Sequence, residues 1–198
     1  MGLTGGLASG KSFVGDALAR LGCHLIQADR LGHEVLLPGG EAYDAVVREF
    51  GSGILRQDGA IDRRRLAAEV FDKPERLALL NSLVHPSVVR REEESIARAQ
   101  ASDPEGIAVV EAAILIETGS YKRFDRLILV VCGEEQQLER AMKRDRISRE
   151  EALARLNRQM PLREKRSYAD YVIDTSGSKE ETLRQSREVY ESLRRIAK

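Results

Sequence analysis

This sequence has few aromatic residues and no excess of charge of either sign. Phe, Tyr and Trp make up 5% of its 198 residues, and Trp is absent. Proteins that bind single-stranded nucleic acid stack bases on aromatic rings, so the composition argues against that class. Lys and Arg number 32, as do Asp and Glu, and the formal net charge is therefore zero. A broadly basic surface is excluded, and we expect no nucleic-acid partner.

Cysteine is also rare, and long apolar runs are missing. Cys23 and Cys132 form neither a CxxC pair nor a Cys/His spacing typical of a metal site. We expect both thiols to be reduced and buried, as in cytosolic proteins. The longest apolar runs, such as 127–132, are too short to span a membrane, and the N-terminus lacks the pattern of a signal peptide. These absences predict a cytoplasmic protein with no membrane partner.

The apolar residues alternate between short runs and longer amphipathic segments, which predicts an α/β fold with a parallel sheet. The predicted strands are 1–4, 24–27, 107–111, 126–131 and 171–175. Helical periodicity is clearest at 11–21, 148–159 and 179–196. A further stretch, about 62–101, is helical throughout and exceeds an ordinary crossover between two strands. We interpret it as an inserted helical lobe.

A phosphate-binding motif follows the first predicted strand. Residues 5–12 match G-x-x-x-x-G-K-[ST], and the predicted helix begins within the motif. Gly5 and Gly10 permit a tight backbone whose amides cradle phosphate oxygens at the helix N-terminus. Lys11 would contact the β- and γ-phosphates, and Ser12 would ligate Mg²⁺. The motif predicts a nucleoside triphosphate and Mg²⁺. The guanine-reading NKxD motif of a GTPase is absent, and the length favours a small-molecule kinase.

Three further residues are candidates for the acceptor side. Asp29 follows the second strand, whose end should face the ligand crevice; near the γ-phosphate it could accept a proton from an attacking hydroxyl. Asp29 could equally cap a helix starting at Arg30. Glu111 ends the third strand and is either a metal or substrate contact or a solvated acid. His85 precedes a proline in the helical lobe, where a structural role is the alternative.

Arg140 and Arg144 lie four residues apart and share a helix face. A phosphate between them would relieve their repulsion, and guanidinium groups match phosphate geometry. The alternative is an ordinary charged face neutralised by neighbouring acids.

Taken in order, these motifs resemble those of the dephospho-coenzyme A kinase family over nearly the whole chain. The matching segments are 2–6, 28–29, 32–35, 85–86, 115–117, 137–140, 144–145, 155 with 159–161, 169–174 and 176–177. The resemblance implies transfer of the ATP γ-phosphate to the ribose 3′-hydroxyl of dephospho-CoA, giving CoA and ADP. It implies a P-loop kinase-type parallel five-stranded sheet flanked by helices. The expected regions are a nucleotide core (1–55, 104–134 and 168–198), a helical substrate lobe (56–103) and a helical lid (135–167).

The resemblance also assigns roles to individual residues. The implied phosphate-binding residues are Gly6, Leu7, Ala8, Ser9, Gly10, Lys11, Ser12 and Phe13. Asp29 becomes the base, Arg140 and Arg144 become lid arginines, and His85 becomes part of the substrate lobe. Asp174 to Gly177 would lie near the adenine.

The chain departs from the family pattern at a few positions. Phe13 and Ala8 replace the usual Thr and Gly, which leaves the backbone contacts to phosphate intact. Residues 113–117 lack the family's proline, which alters the expected backbone around Glu117. Two alternatives stay open: another P-loop kinase, acting on a nucleoside monophosphate or a small alcohol, and an ATP-binding regulatory module without catalysis.

Overall fold

The structure, a computed structural model, describes residues 1–196; positions 197 and 198, at the end of the expected core segment, lie outside the described residues. Its five strands form one parallel sheet in the order β2-β3-β1-β4-β5. They are β1 (Gly2–Gly5), β2 (His24–Gln27), β3 (Ala108–Glu111), β4 (Leu127–Val131) and β5 (Tyr171–Asp174). Each lies within one residue of its predicted bounds, and the α/β fold is confirmed.

The described residues form nine α-helices. They are α1 (Lys11–Arg20), α2 (Ala28–Glu34), α3 (Tyr43–Phe50), α4 (Arg63–Val70), α5 (Pro74–Ser102), α6 (Glu134–Asp145), α7 (Arg149–Leu156), α8 (Leu162–Lys165) and α9 (Lys179–Ile196). The stretch expected to be helical throughout is interrupted between α4 and α5, where Asp72 has a φ of 53° and Pro74 begins the next helix. Among residues 1–196, no helix combines the length and hydropathy that a membrane span requires.

Parallel register brings the ends of the central strands to one edge of the sheet. Gly2 lies opposite both Val110 of β3 and Leu127 of β4, and Gly5 lies opposite Val130. The chain segments that follow these strands therefore leave the sheet on the same side. β3 lies between β1 and β2, so β2 is at the edge of the sheet. The nearly continuous apolar burial of β3 suits its interior place.

The chain divides into two compact units, residues 1–26 with 98–198 and residues 27–97. The core of the first unit combines sheet residues with residues of α1 and α9. Its buried members are Leu3, Val14, Leu18, Cys23, Ile107, Val109, Ile128, Val130, Ile173, Val189 and Leu193. The second unit has an apolar cluster of its own, made of Val35, Ala42, Val46, Phe50, Ile54, Ile61 and Leu66.

The two cysteines differ in their surroundings. Cys23 is buried, and burial raises its pKa to about 11. Cys132 is partly exposed because it lies just beyond the end of β4, so the expectation that both thiols are buried is wrong for Cys132. Burial still raises its pKa above the ordinary value. Both cysteines are free thiols, as expected.

Candidate active site

The phosphate-binding motif forms the tight connection between β1 and α1. Ala8 and Gly10 have φ angles of 49° and 91°, which turn the backbone through the left-handed region. A β-carbon at Gly5 would lie 2.5 Å from the carbonyl oxygen of Val130, so only glycine fits there. The loop ends at the N-terminus of α1, where unpaired amides and the helix dipole favour an anion.

Lys11 folds back over this loop. Its ammonium nitrogen donates to the carbonyl oxygens of Gly6 at 2.9 Å and Gly5 at 3.3 Å. The positive charge is thereby held at the loop, where phosphate oxygens would gather. Phe13, two residues further, is half-buried, with the Lys179 ammonium 5.9 Å from its ring centre.

Ser12 is paired with an acid from the neighbouring strand end. Its hydroxyl donates to Oε1 of Glu111 at 2.8 Å, and Glu111 is only 7% exposed. The alternative of a solvated acid at the end of β3 is therefore wrong. A hydroxyl and a carboxylate are oxygen ligands of the kind that Mg²⁺ takes. No group of three or more His, Cys, Asp or Glu side chains suited to a metal occurs within residues 1–196.

The middle of the loop is bound to β5 and α6 through Thr175. The Thr175 hydroxyl donates to the carbonyl oxygen of Ser9 at 2.7 Å. Arg140 donates to the Thr175 hydroxyl at 2.9 Å and to its carbonyl oxygen at 2.7 Å. The Arg140 guanidinium is thus held beside the phosphate loop through Thr175. The Ser9 hydroxyl is buried and lacks a hydrogen-bond partner among the described residues.

Arg144 is placed differently from Arg140. It is exposed, and its guanidinium donates to Asp145 at 2.7 Å and 3.1 Å. This hydrogen bonding holds the pKa of Asp145 below its ordinary value. Arg155 also contacts Asp145, at 3.0 Å. The two arginines predicted as a pair therefore have separate partners: Arg140 contacts the loop region, and Arg144 contacts an acid on its own helix.

Two glutamines hold the phosphate loop at Leu7, and the sequence analysis assigned no specific role to either. Gln137 of α6, 3% exposed, donates to the Leu7 carbonyl oxygen at 2.7 Å. Gln159, after α7, accepts from the Leu7 amide at 2.8 Å. Leu7 and Ala8 also pack against the apolar cluster between α6 and α7. The Leu7 amide, assigned to phosphate, is therefore already donated to Gln159.

Asp174, which is exposed, ends β5, and Gly177 lies in the exposed turn that follows. The Asp174 carboxylate accepts from the Ser176 amide at 2.7 Å, which closes the turn. Gln185 bonds both the amide and the carbonyl oxygen of Asp174, at 2.9 Å and 3.0 Å. The turn adjoins Thr175 and so lies beside the Arg140 contact.

The unit of residues 27–97 holds the other two predicted site residues. Asp29 is exposed in the first turn of α2, whose N-cap position is Gln27. The helix begins at Ala28, so the alternative that Asp29 caps a helix starting at Arg30 is wrong. His85 is exposed on α5, next to Pro86.

This second unit also contains a cavity of about 460 Å³. Its wall comes from the end of α2, the following turn, and the chain leading into α4. The lining residues are His33, Leu36, Leu37, Arg56, Ala60, Ile61, Asp62, Arg63 and Arg64.

Comparison with known proteins identifies the family. A family model for dephospho-CoA kinase matches residues 1–181 of the chain. A dephospho-CoA kinase from Carboxydothermus hydrogenoformans is 45% identical over 185 residues, covering 93% of this chain and 89% of that protein. The chain belongs to the dephospho-CoA kinase family. A family member from Aquifex aeolicus is 43% identical over 195 residues, 98% of this chain and 97% of that protein.

The dephospho-CoA kinase family is represented among solved structures as well. The Campylobacter jejuni dephospho-CoA kinase structure matches with a TM-score of 0.72 at 26% identity, covering 98% of this chain and 96% of that one. The resemblance inferred from the ordered motifs and the P-loop kinase fold are both confirmed.

Proposed function

We propose that this protein transfers the γ-phosphate of ATP to the ribose 3′-hydroxyl of dephospho-CoA, giving CoA and ADP. The single observation that carries the proposal is the phosphate loop, held with Lys11, Arg140 and the Ser12–Glu111 pair around it, in a chain of this family. We place the reaction in the cytoplasm, with no membrane or nucleic-acid partner.

The donor side binds and neutralises phosphate. Loop amides from Gly6 to Phe13 bind phosphate oxygens, with the exception of Leu7 and Ser9, whose amides are donated to Gln159 and to the Gly6 carbonyl oxygen. Lys11 stabilises the phosphoryl group as it transfers, and Arg140 adds charge beside the loop. Arg144 is proposed as a second lid arginine, which requires it to exchange its contact with Asp145 for a phosphate. The segment from Asp174 to Gly177 is proposed to contact the adenine.

The residues at Ser12 fit a magnesium ion. The Ser12 hydroxyl would ligate it, and the Glu111 carboxylate, buried beside that hydroxyl, would add negative charge around it. Mg²⁺ bound there supplies positive charge that neutralises the phosphates of ATP.

The acceptor side is proposed to centre on Asp29. Its carboxylate takes the proton from the 3′-hydroxyl as that oxygen attacks the γ-phosphorus in line. No enzyme nucleophile is needed, so no covalent intermediate forms. His85 and Glu111 are proposed as acceptor contacts. The proposed regions are the substrate lobe at 56–103 and the lid at 135–167, with the rest of the chain as the nucleotide core.

The testing experiment is a coupled ADP-release assay with ATP, Mg²⁺ and dephospho-CoA, with the product identified by mass. We expect ADP release that depends on dephospho-CoA, and a product heavier by one phosphate. Transfer to AMP or to simple alcohols in preference to dephospho-CoA would instead indicate another small-molecule kinase. ATP binding without turnover on any acceptor would indicate a regulatory module.

Substitutions test the two central roles. Lys11→Ala and Asp29→Asn should each lower kcat by about a hundredfold or more, since each removes charge stabilisation or proton transfer at the reacting atoms. Asp44→Asn is the matched control, because Asp44 is likewise an exposed acid in the first turn of a helix of the same unit. Near-normal kcat for Asp29→Asn would show that Asp29 is not the base.

A further inference from the structure

A hydrogen-bond network connects the phosphate loop to the turn that follows β3. It begins at Thr4, the buried β1 residue directly before the loop, whose hydroxyl donates to the carbonyl oxygen of Ala113 at 3.2 Å. The same oxygen accepts from the buried Lys165 ammonium, also at 3.2 Å. Lys165 in turn pairs with Oε1 of Glu117 at 2.8 Å. The proposed phosphoryl transfer uses none of these side chains directly.

The network returns to the loop through the segment between α7 and α8. Oε1 of Glu117 also accepts from the Met160 amide at 3.2 Å. That amide belongs to the planar peptide group that joins Gln159 to Met160, so Glu117 fixes the backbone from which the Gln159 side chain extends. Gln159 then accepts from the Leu7 amide at 2.8 Å. The network therefore reaches the loop region at two points, Thr4 and Leu7.

Packing alone does not fix the segment that carries Gln159. A cavity of about 380 Å³ is lined by Gly6 of the loop and by residues 159–163. Gln159 and Met160 are both partly exposed. Without the contact to Glu117 the segment would have room to shift, and the acceptor of the Leu7 amide would move with it. The polar contacts therefore determine where Gln159 lies.

We infer that Glu117 is a positioning residue for ATP: by holding the Met160 amide it places Gln159 on the Leu7 amide and so orients the neighbouring loop amides toward phosphate. The inference rests on the proposed function, in which those loop amides bind the phosphates of ATP. Lys165 supplies the counter-charge that stabilises a carboxylate at this place. Because Glu117 acts through Gln159, its loss should weaken ATP binding and leave acceptor binding unchanged.

Two double variants separate the hydrogen bond to Met160 from the charge of the ion pair. Lys165→Met combined with either Glu117→Leu or Glu117→Gln removes both charges, but Gln keeps a carbonyl oxygen that can accept from the Met160 amide. Each full chain is titrated with ATP and Mg²⁺ in a calorimeter. The double variant with Glu117→Leu should bind ATP about tenfold more weakly than the unchanged chain. The double variant with Glu117→Gln should stay within about threefold of it.

The matched control is Glu181→Leu with Arg184→Met, which removes an exposed ion pair on α9 and should bind ATP as the unchanged chain does. Thermal melts verify that every variant is folded. If the double variant with Glu117→Leu does not fold, Glu117→Asp carries the test. It keeps the negative charge beside Lys165 but shortens the side chain by one methylene, and it should weaken ATP binding about fivefold. Unchanged ATP binding by Glu117→Asp would then overturn the inference.

Steady-state kinetics separate positioning from a general structural role. In the double variant with Glu117→Leu we expect KM for ATP to rise about tenfold, with KM for dephospho-CoA unchanged. The double variant with Glu117→Gln should restore most of the lost ATP affinity. A change confined to kcat or to KM for dephospho-CoA would overturn the inference, because Glu117 would then act on the chemical step or on the acceptor.

The ATP titrations also distinguish failure of this inference from failure of the proposed function. Equal ATP affinities of the two double variants overturn the positioning role of Glu117 and leave the kinase activity standing. If the unchanged chain binds ATP but does not phosphorylate dephospho-CoA, the proposed function fails. Weaker ATP binding in the double variant with Glu117→Leu, and not in the one with Glu117→Gln, would still support the positioning role in that case.

Discussion

Lys165 is a charged side chain with no solvent exposure. Its ammonium contacts Oε1 of Glu117 at 2.8 Å and the carbonyl oxygen of Ala113 at 3.2 Å. Glu117, 21% exposed, also accepts from the Met160 amide at 3.2 Å. A buried charge is tolerated only with such partners, because its desolvation costs several kcal/mol. Lys165 therefore links the Glu117 carboxylate to the backbone at Ala113.

We predict that Lys165→Met strongly destabilises the fold. The substitution keeps the length of the side chain but leaves Glu117 without its cation, which should lower the free energy of unfolding by about 3–5 kcal/mol. Urea unfolding measures this change. Arg163→Met is the control, since Arg163 is 85% exposed, and its effect should stay within about 0.5 kcal/mol.

The double variant with Lys165→Met and Glu117→Gln completes that test. Removing both charges should recover part of the lost stability, because no uncompensated charge remains. Equal stabilities of Lys165→Met and Arg163→Met would contradict the role given to the ion pair.

At the scale of elements, the α6–α7 pair and the phosphate loop form one packed group. Gln137 and Gln159 bond both polar groups of Leu7, and the Leu7 side chain packs on the cluster that contains Leu138 and Ala152. The loop therefore takes its conformation from the helices that follow β4 as well as from its own glycines.

We predict that Gln159→Leu impairs ATP use while leaving acceptor use intact. The Leu7 amide loses its acceptor, and the adjoining loop amides lose their fixed orientation toward phosphate. We expect kcat/KM for ATP to fall about tenfold, with KM for dephospho-CoA unchanged. Asn157→Leu, an exposed position two residues earlier, should leave both parameters unchanged. A rise in KM for the acceptor alone would contradict this prediction, because Gln159 would then affect acceptor binding and not ATP binding.

Much of this element structure follows from local sequence. Strand bounds and α9 match the predictions because apolar periodicity and turn residues act over a few neighbouring positions. The phosphate loop was predictable for the same reason, since its motif is contiguous. The interior position of β3 was not predicted, because strand order depends on contacts between distant segments.

The contacts that complete the site could not be predicted from the sequence for a related reason. Leu7 is 130 residues from Gln137 and 152 from Gln159, and a local sequence pattern does not predict contacts between such distant residues. Lys165 lies in a short segment, Leu-Arg-Glu-Lys, whose three charged residues predict an exposed turn of helix. Its burial depends on Ala113 and Glu117, which lie about 50 residues earlier in the chain.

For the whole molecule, the balance of charge decides how ATP is attracted. The formal net charge is zero and the sequence pI is about 6.9, so no long-range field of one sign favours the approach of a polyanion. Attraction must come from the local arrangement at the loop, where Lys11 and Arg140 lie. ATP binding should therefore depend on individual side chains there far more than on overall charge.

Thermal unfolding with and without ATP tests that conclusion on the intact chain. A ligand that binds only the folded state at a hundred times its Kd stabilises it by about 2.7 kcal/mol. For a chain of this size each kcal/mol raises Tm by about 2–4 °C, so ATP should raise Tm by about 5–10 °C. Lys11→Ala should abolish this shift at the same ATP concentration. Lys143→Ala removes the same charge from an exposed site on α6 and should retain the shift, so equal losses in the two variants would mean that net charge, and not the loop, binds ATP.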